Sequence, residues 1–147
     1  MWCKRINCSF VCITNIHILS AAAVEDVTLS STLTIQLAYP DQVIIFTCTT
    51  RGSGILEWRS DEYIGSSTLQ ILSLSSAPSS VVSRSNSDTV ATRVSTTTEN
   101  GVLVITSELQ ITASTLYPTS TIICGNSGDG STRNITFQTA GESYTYI

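Results

Sequence analysis

Side chains able to do chemistry are sparse in this 147-residue chain. Its one histidine is His17. Beyond it no Ser-His-Asp triad and few kinds of zinc site can be assembled. Asp61 and Glu62 are adjacent, so on a strand their carboxylates point to opposite faces, which argues against an acid–base pair on one substrate. They read instead as solvated charges near a turn. The stretch Gly125-Asn-Ser-Gly-Asp-Gly130 contains Gly-x-x-Gly-x-Gly, yet no helix follows and it holds no lysine. Its glycines are expected to serve a wide hairpin rather than to cradle a phosphate. Asp129 supplies a single carboxylate, against the roughly six to eight oxygens that calcium takes. We therefore assign no catalytic residue, no metal ligand and no cofactor, and expect the protein not to be an enzyme.

The cysteines carry more information. Met1–Ile6 holds Lys4 and Arg5, then come the apolar FVCITNIHILS and three alanines, Ala21–Ala23. A basic start, an apolar middle and small residues at the end describe a secretory leader over 1–23, which leaves one domain over 24–147. Cys3, Cys8 and Cys12 fall inside that leader, and Cys48 and Cys124 remain. An even pair in a secreted chain is read as one disulfide, with two buried free thiols as the rival if the leader is not real. Secretion also gives meaning to Asn134-Ile135-Thr136, which matches the acceptor pattern for N-glycosylation at Asn134. No other segment approaches the ~20 apolar residues of a membrane span. From Val24 onward there are five arginines, no lysine and eleven Asp plus Glu, a net charge of −6. Without a basic patch, nucleic acid and anionic membrane surfaces are poor partners.

The elements that would position these residues are strands. Charged residues make up only 12% of the chain, and its runs are rich in Val, Ile and Thr. Ser30–Leu37 alternates loosely and is expected to be a first strand. Val43–Thr49 places Ile44, Phe46 and Cys48 on one face. After an Arg51–Gly54 turn, Ile55–Arg59 places Leu56 and Trp58 together. Leu69–Leu74 is a further short strand, and Ser75–Asp88, rich in Ser, Asn and Pro, is expected to be a loop. Thr89–Thr97 and Val102–Ile111 form a hairpin about Asn100-Gly101. In its second strand Leu103, Ile105, Leu109 and Ile111 share a face, with Ser107 as the exception. Ser120–Cys124 and Arg133–Thr139 flank the glycine-rich loop. Seven to nine short strands of this kind predict an all-β fold, a two-sheet antiparallel sandwich. In such a sandwich a tryptophan from the adjacent strand closes the gap beside a cross-sheet disulfide.

The Cys48, Trp58 and Cys124 arrangement resembles the immunoglobulin superfamily. The cysteine spacing is closer to its variable-type or intermediate domains than to the constant type, and the resemblance covers about Leu33 to Ala140. One departure stands out. Family members place a tyrosine two residues before the second cysteine, after an Asp-x-Gly or Asp-x-Ala corner. Here Ile122 holds that position, the stretch before it reads ASTLYPTS, and Tyr117 comes too early. Other β-sandwiches with two cysteines and a tryptophan remain an alternative.

The resemblance implies a Greek-key sandwich outside the cell, secreted or part of a cell-surface ectodomain. It would act as a recognition or adhesion module toward other extracellular or cell-surface proteins, homophilic pairing included. The loops Thr49–Gly54 and Gly125–Ser131 would lie at one end, rich in Gly, Ser, Thr and Asn, a paratope-like vocabulary. Arg51 is the one side chain there marked as a possible ligand contact. The alternative is a structural spacer in a larger receptor or matrix protein. Val43, Ile45, Val102, Val104 and Ile123 point away from the cysteines, and an exposed patch made of them would favour recognition.

Overall fold

A computed structural model describes residues 26–52, 54–71, 80–86 and 88–141, the segment 80–86 by its backbone course alone. The expected leader lies outside the described residues. The elements, in chain order, are β1 (Val27–Ser31), β2 (Leu37–Ala38), β3 (Val43–Arg51), β4 (Leu56–Ser60), β5 (Gly65–Ile71), β6 (Ser80–Asn86), β7 (Thr89–Glu99), β8 (Val102–Thr112), β9 (Thr119–Asn126) and β10 (Thr132–Thr139). Among the described residues there is no helix, so none is long and apolar enough to cross a membrane.

The strands form two five-stranded sheets, β1-β3-β8-β7-β6 and β2-β10-β9-β4-β5. All pairings are antiparallel except the short parallel contact of β2 with β10. The alternation that makes each strand also makes the core. In β3, Ile44, Phe46 and Cys48 are fully buried while Val43 stays half exposed. Leu109 and Ile111 of β8 join them from the same sheet, and Leu56, Trp58, Ile122 and Phe137 meet them from the other. One core shared by two inward faces is compatible with a β-sandwich.

Local chemistry fixes the turns. Asn100 (φ 51°) and Gly101 (φ 79°) both adopt positive φ between β7 and β8, as a two-residue primed hairpin turn requires. The register of β7 on β8 then carries one irregularity, between Arg93 and Ser95, which keeps Ala91 and Arg93 pointing inward on the core side.

Three expectations need correction. The strand expected at Ser30–Leu37 is two strands in different sheets, because Val27 is the buried anchor of the first while Ile35 is 65% exposed. The strand expected from Leu69, β5, begins at Gly65; its first residues are exposed and pair through the backbone, and only Leu69 and Ile71 reach the core. Ser75–Asp88 is not all loop, since β6 pairs along β7. An edge strand of Ser, Asn and Val pairs through its backbone and shows little side-chain pattern.

Candidate functional site

The centre of the core is a bridge between the sheets. Cys48 of β3 and Cys124 of β9 are disulfide-bonded with their Cα atoms 6.4 Å apart, within the usual span. Trp58 of β4 stands directly opposite Cys124 in register, and Ser107 of β8 stands opposite Cys48. The indole reaches across, and Trp58 Nε1 donates to Ser107 Oγ at 3.0 Å. Ser107 Oγ donates in turn to the Thr92 carbonyl at 2.5 Å. The one polar residue on an otherwise apolar face is therefore the acceptor that lets a tryptophan be buried whole. Nothing in the local pattern of β8 signals this, because the partner lies 49 residues away.

Three loops collect at one end of the molecule: 51–55 between β3 and β4, the 100–101 turn, and 127–131 between β9 and β10. Backbone bonds set the first against its neighbours, with Arg51 N–H on the Asp26 carbonyl at 2.7 Å and Gly52 N–H on the Leu103 carbonyl at 2.9 Å. Asn126, only 3% exposed, joins the first loop to the third. Its Nδ2 donates to the Arg51 carbonyl at 3.2 Å, and its Oδ1 accepts from Gly128 N–H at 2.8 Å. Ser127 and Ile55 complete the seam, with Ser127 N–H on the Ile55 carbonyl at 3.0 Å and Ile55 N–H on Ser127 Oγ at 3.1 Å. Gly54 has φ 150°, and a Cβ there would overlap Asn126 Oδ1 and crowd the Gly128 backbone, so glycine is required on steric as well as dihedral grounds. At the loop tip, Ser131 Oγ and N–H both donate to Asp129 Oδ1, at 2.5 and 2.8 Å. These bonds, the hydroxyl first, hold the Asp129 carboxyl below its ordinary value.

Arg51 is the last residue of β3, where the loop begins. Its Nη1 meets Glu99 Oε2 of β7 at 2.5 Å, so the pair crosses β8 on its outer face, where Val104 is 5% exposed. Both charged side chains keep water contact, 33% and 50% exposed, and the pair is worth little on its own. The five outward aliphatics do not make one patch. Val43, Ile45, Val102 and Val104 are on the first sheet, with Val43 and Val102 at opposite ends of it, and Ile123 is on the second.

Asn134 is exposed on β10, as is Thr136, whose hydroxyl lies 2.9 Å from that of Thr121. On the same outer face Glu57 is 8% exposed, and its two oxygens accept from Arg59 Nη2 at 2.8 Å and Gln70 Nε2 at 3.0 Å. Asp61 and Glu62 occupy the turn between β4 and β5, where Glu62 Oε2 accepts from Ser60 Oγ at 2.9 Å.

At the end opposite the three loops, Tyr63 is buried in the turn between β4 and β5. Its ring packs edge-on to Tyr117 at 5.3 Å and stacks on Phe137 at 6.3 Å. Its hydroxyl accepts from Ser114 N–H at 3.3 Å. Burial raises the Tyr63 phenol above its ordinary value. Among the described residues no three His, Cys, Asp or Glu side chains are grouped to hold a metal ion.

What this arrangement offers is a core pinned by the disulfide and a set of hydrogen-bonded loops at one end. Compared with known proteins, the chain matches no family model, no curated protein and no solved structure.

Proposed function

We propose that this chain is an immunoglobulin-like recognition domain of the extracellular space, binding another protein through the end formed by loops 51–55, 100–101 and 127–131. The observation that carries the reading is the seam made by Asn126, Ser127, Ile55 and the Arg51 carbonyl. Two loops from different strand pairs are held in one shape without any partner, so little ordering entropy is lost on binding.

Further support comes from the topology. A disulfide joins β3 and β9 in different sheets, β4 brings the tryptophan beside β9, and β5 stays next to β4. Variable-type domains keep the strand after the tryptophan strand in that same sheet, and place their recognition loops at the corresponding end. β6 departs from that pattern by extending the first sheet beside β7. A buried disulfide is consistent with an oxidising compartment.

The test is a screen of the secreted full chain, displayed as a multimer, against a panel of cell-surface and secreted ectodomains that includes the chain itself. A reproducible partner is expected, and Val102→Arg with Asp129→Arg should abolish its binding while leaving the melting temperature unchanged. A partner whose binding survives both changes would refute the loop-end assignment. No partner at all would favour the spacer reading. That second reading draws on the opposite end, where Tyr39 is 65%, Val43 50% and Leu116 80% exposed beside the turn that meets the Ala113 backbone. An abutting domain would cover them.

A further inference from the structure

The glycosylation motif occupies a particular row of the second sheet. Asn134 of β10 pairs with Ile123 of β9, and Ile123 pairs with Arg59 of β4. Side chains in one row share a face, so Asn134, Ile123 and Arg59 line up across three strands. At the ordinary strand spacing the Asn134 and Arg59 Cα atoms are about 10 Å apart. The neighbouring row holds Thr132, Gly125, Glu57 and Gln70.

This face also lacks what a protein partner would grip. The large exposed apolar side chains of the described residues are Ile35, Tyr39, Val43, Val102 and Leu116, and none is on β4, β5, β9 or β10. The Glu57 carboxylate already has donors on both oxygens. Arg59, whose Nη2 is one of those donors, is itself 54% accessible.

We infer that an N-linked oligosaccharide on Asn134 covers the outer face of the second sheet, screening Ile123 and Arg59, and so confines protein recognition to the loop end. The inference rests on the reading that the chain is secreted. The co-reactant is a lipid diphosphate-linked oligosaccharide. The Asn134 amide nitrogen forms a bond to the anomeric carbon and loses one proton to a base. The bond from that carbon to the diphosphate oxygen breaks, and the lipid diphosphate leaves with the electron pair. The first sugar then stands on the row beside Ile123, whose half-buried side chain gives its apolar ring face a contact.

The experiment needs no partner. The full chain is secreted from glycosylating eukaryotic cells as wild type and as Asn134→Gln, and exposed arginines are modified with phenylglyoxal and quantified by peptide mass spectrometry. Wild type should carry hexosamine at Asn134, and its Arg59 should react about threefold or more slowly than in Asn134→Gln, as a bulky surface modification dictates. Arg51, at the loop end, should react equally in both. Thr136→Ala removes the acceptor pattern while keeping Asn134 and should reproduce the faster Arg59 reaction. A secreted chain with bare Asn134, or with equal Arg59 reactivity in all three forms, overturns the inference and leaves the recognition reading standing. A chain retained unmodified in the cytosol overturns both.

Discussion

Replacing Ser107 by alanine isolates the hydrogen bond that lets Trp58 lie in the core. The substitution removes one oxygen and opens almost no volume, so cavity formation contributes little. It leaves the indole N–H, fully buried with the rest of Trp58, without the acceptor it has at 3.0 Å. It also frees the Thr92 carbonyl from its short bond. A stranded buried donor costs about 1–3 kcal/mol, and in a domain of this size each kcal/mol lowers the melting temperature by about 4 °C. We expect Ser107→Ala to lower stability by about 2 kcal/mol, a fall of about 8 °C. Urea unfolding followed by tryptophan fluorescence reads this directly in a form that begins at Val24, because Trp2 and Trp58 are the chain's two tryptophans and only Trp58 is then present. The dependence on urea concentration should be unchanged, since the exposed surface is the same. In a Trp58→Phe background no N–H remains to be stranded, so Ser107→Ala should cost about 1 kcal/mol less there. An equal cost in both backgrounds, or a loss under about 0.5 kcal/mol in the wild type, would refute the reasoning.

The other predictions concern the two ends. Asn126→Ala should speed amide hydrogen exchange in 51–55 and 127–131 together, with about 1–2 kcal/mol lost overall; acceleration of one loop alone would mean the seam does not couple them. For Tyr63 the folded phenol titrates above the unfolded one, so its contribution is fully present below the ordinary tyrosine value and is lost as pH rises through the folded value. Alkaline unfolding monitored by circular dichroism should therefore be steeper in wild type than in Tyr63→Phe. For Asp129 the carboxyl is held low, and its small contribution is lost as pH falls below the ordinary aspartate value; Ser131→Ala should bring the Asp129 titration, read by NMR, back up toward it.

Sequence pattern revealed the parts of this molecule whose causes are local. The alternation in Val43–Arg51 is a property of one strand with one buried face, and Asn100-Gly101 specifies its own dihedrals, so both could be recognised without knowing any partner. The two cysteines and Trp58 could be grouped because each lies on a strand of evident polarity. What stayed hidden depends on distant pairing. Ser107 looks like a flaw in an apolar face until Trp58 arrives from the other sheet. Tyr63 lies in a turn just after Asp61 and Glu62, and the approach of Ser114 and Tyr117 makes it a core residue. Asn126 reads as one more polar loop residue, although it is buried and holds two loops together. Arg51 was marked as a possible ligand contact in a loop, but the register of β3 on β8 places it at the end of a strand and within reach of Glu99. The backbone pairing of β6 left almost no trace in a Ser-rich segment.

The two sheets are held by a covalent link between β3 and β9, and every surface discussed above depends on their being fixed face to face. Non-reducing tryptic mapping of the protein tests that link most directly. Cleavage at arginine leaves Cys48 in the peptide ending at Arg51 and Cys124 in Val94–Arg133, and the account predicts these two as one species that separates only on reduction. Recovery of both peptides separately, each with an alkylatable thiol, would contradict it.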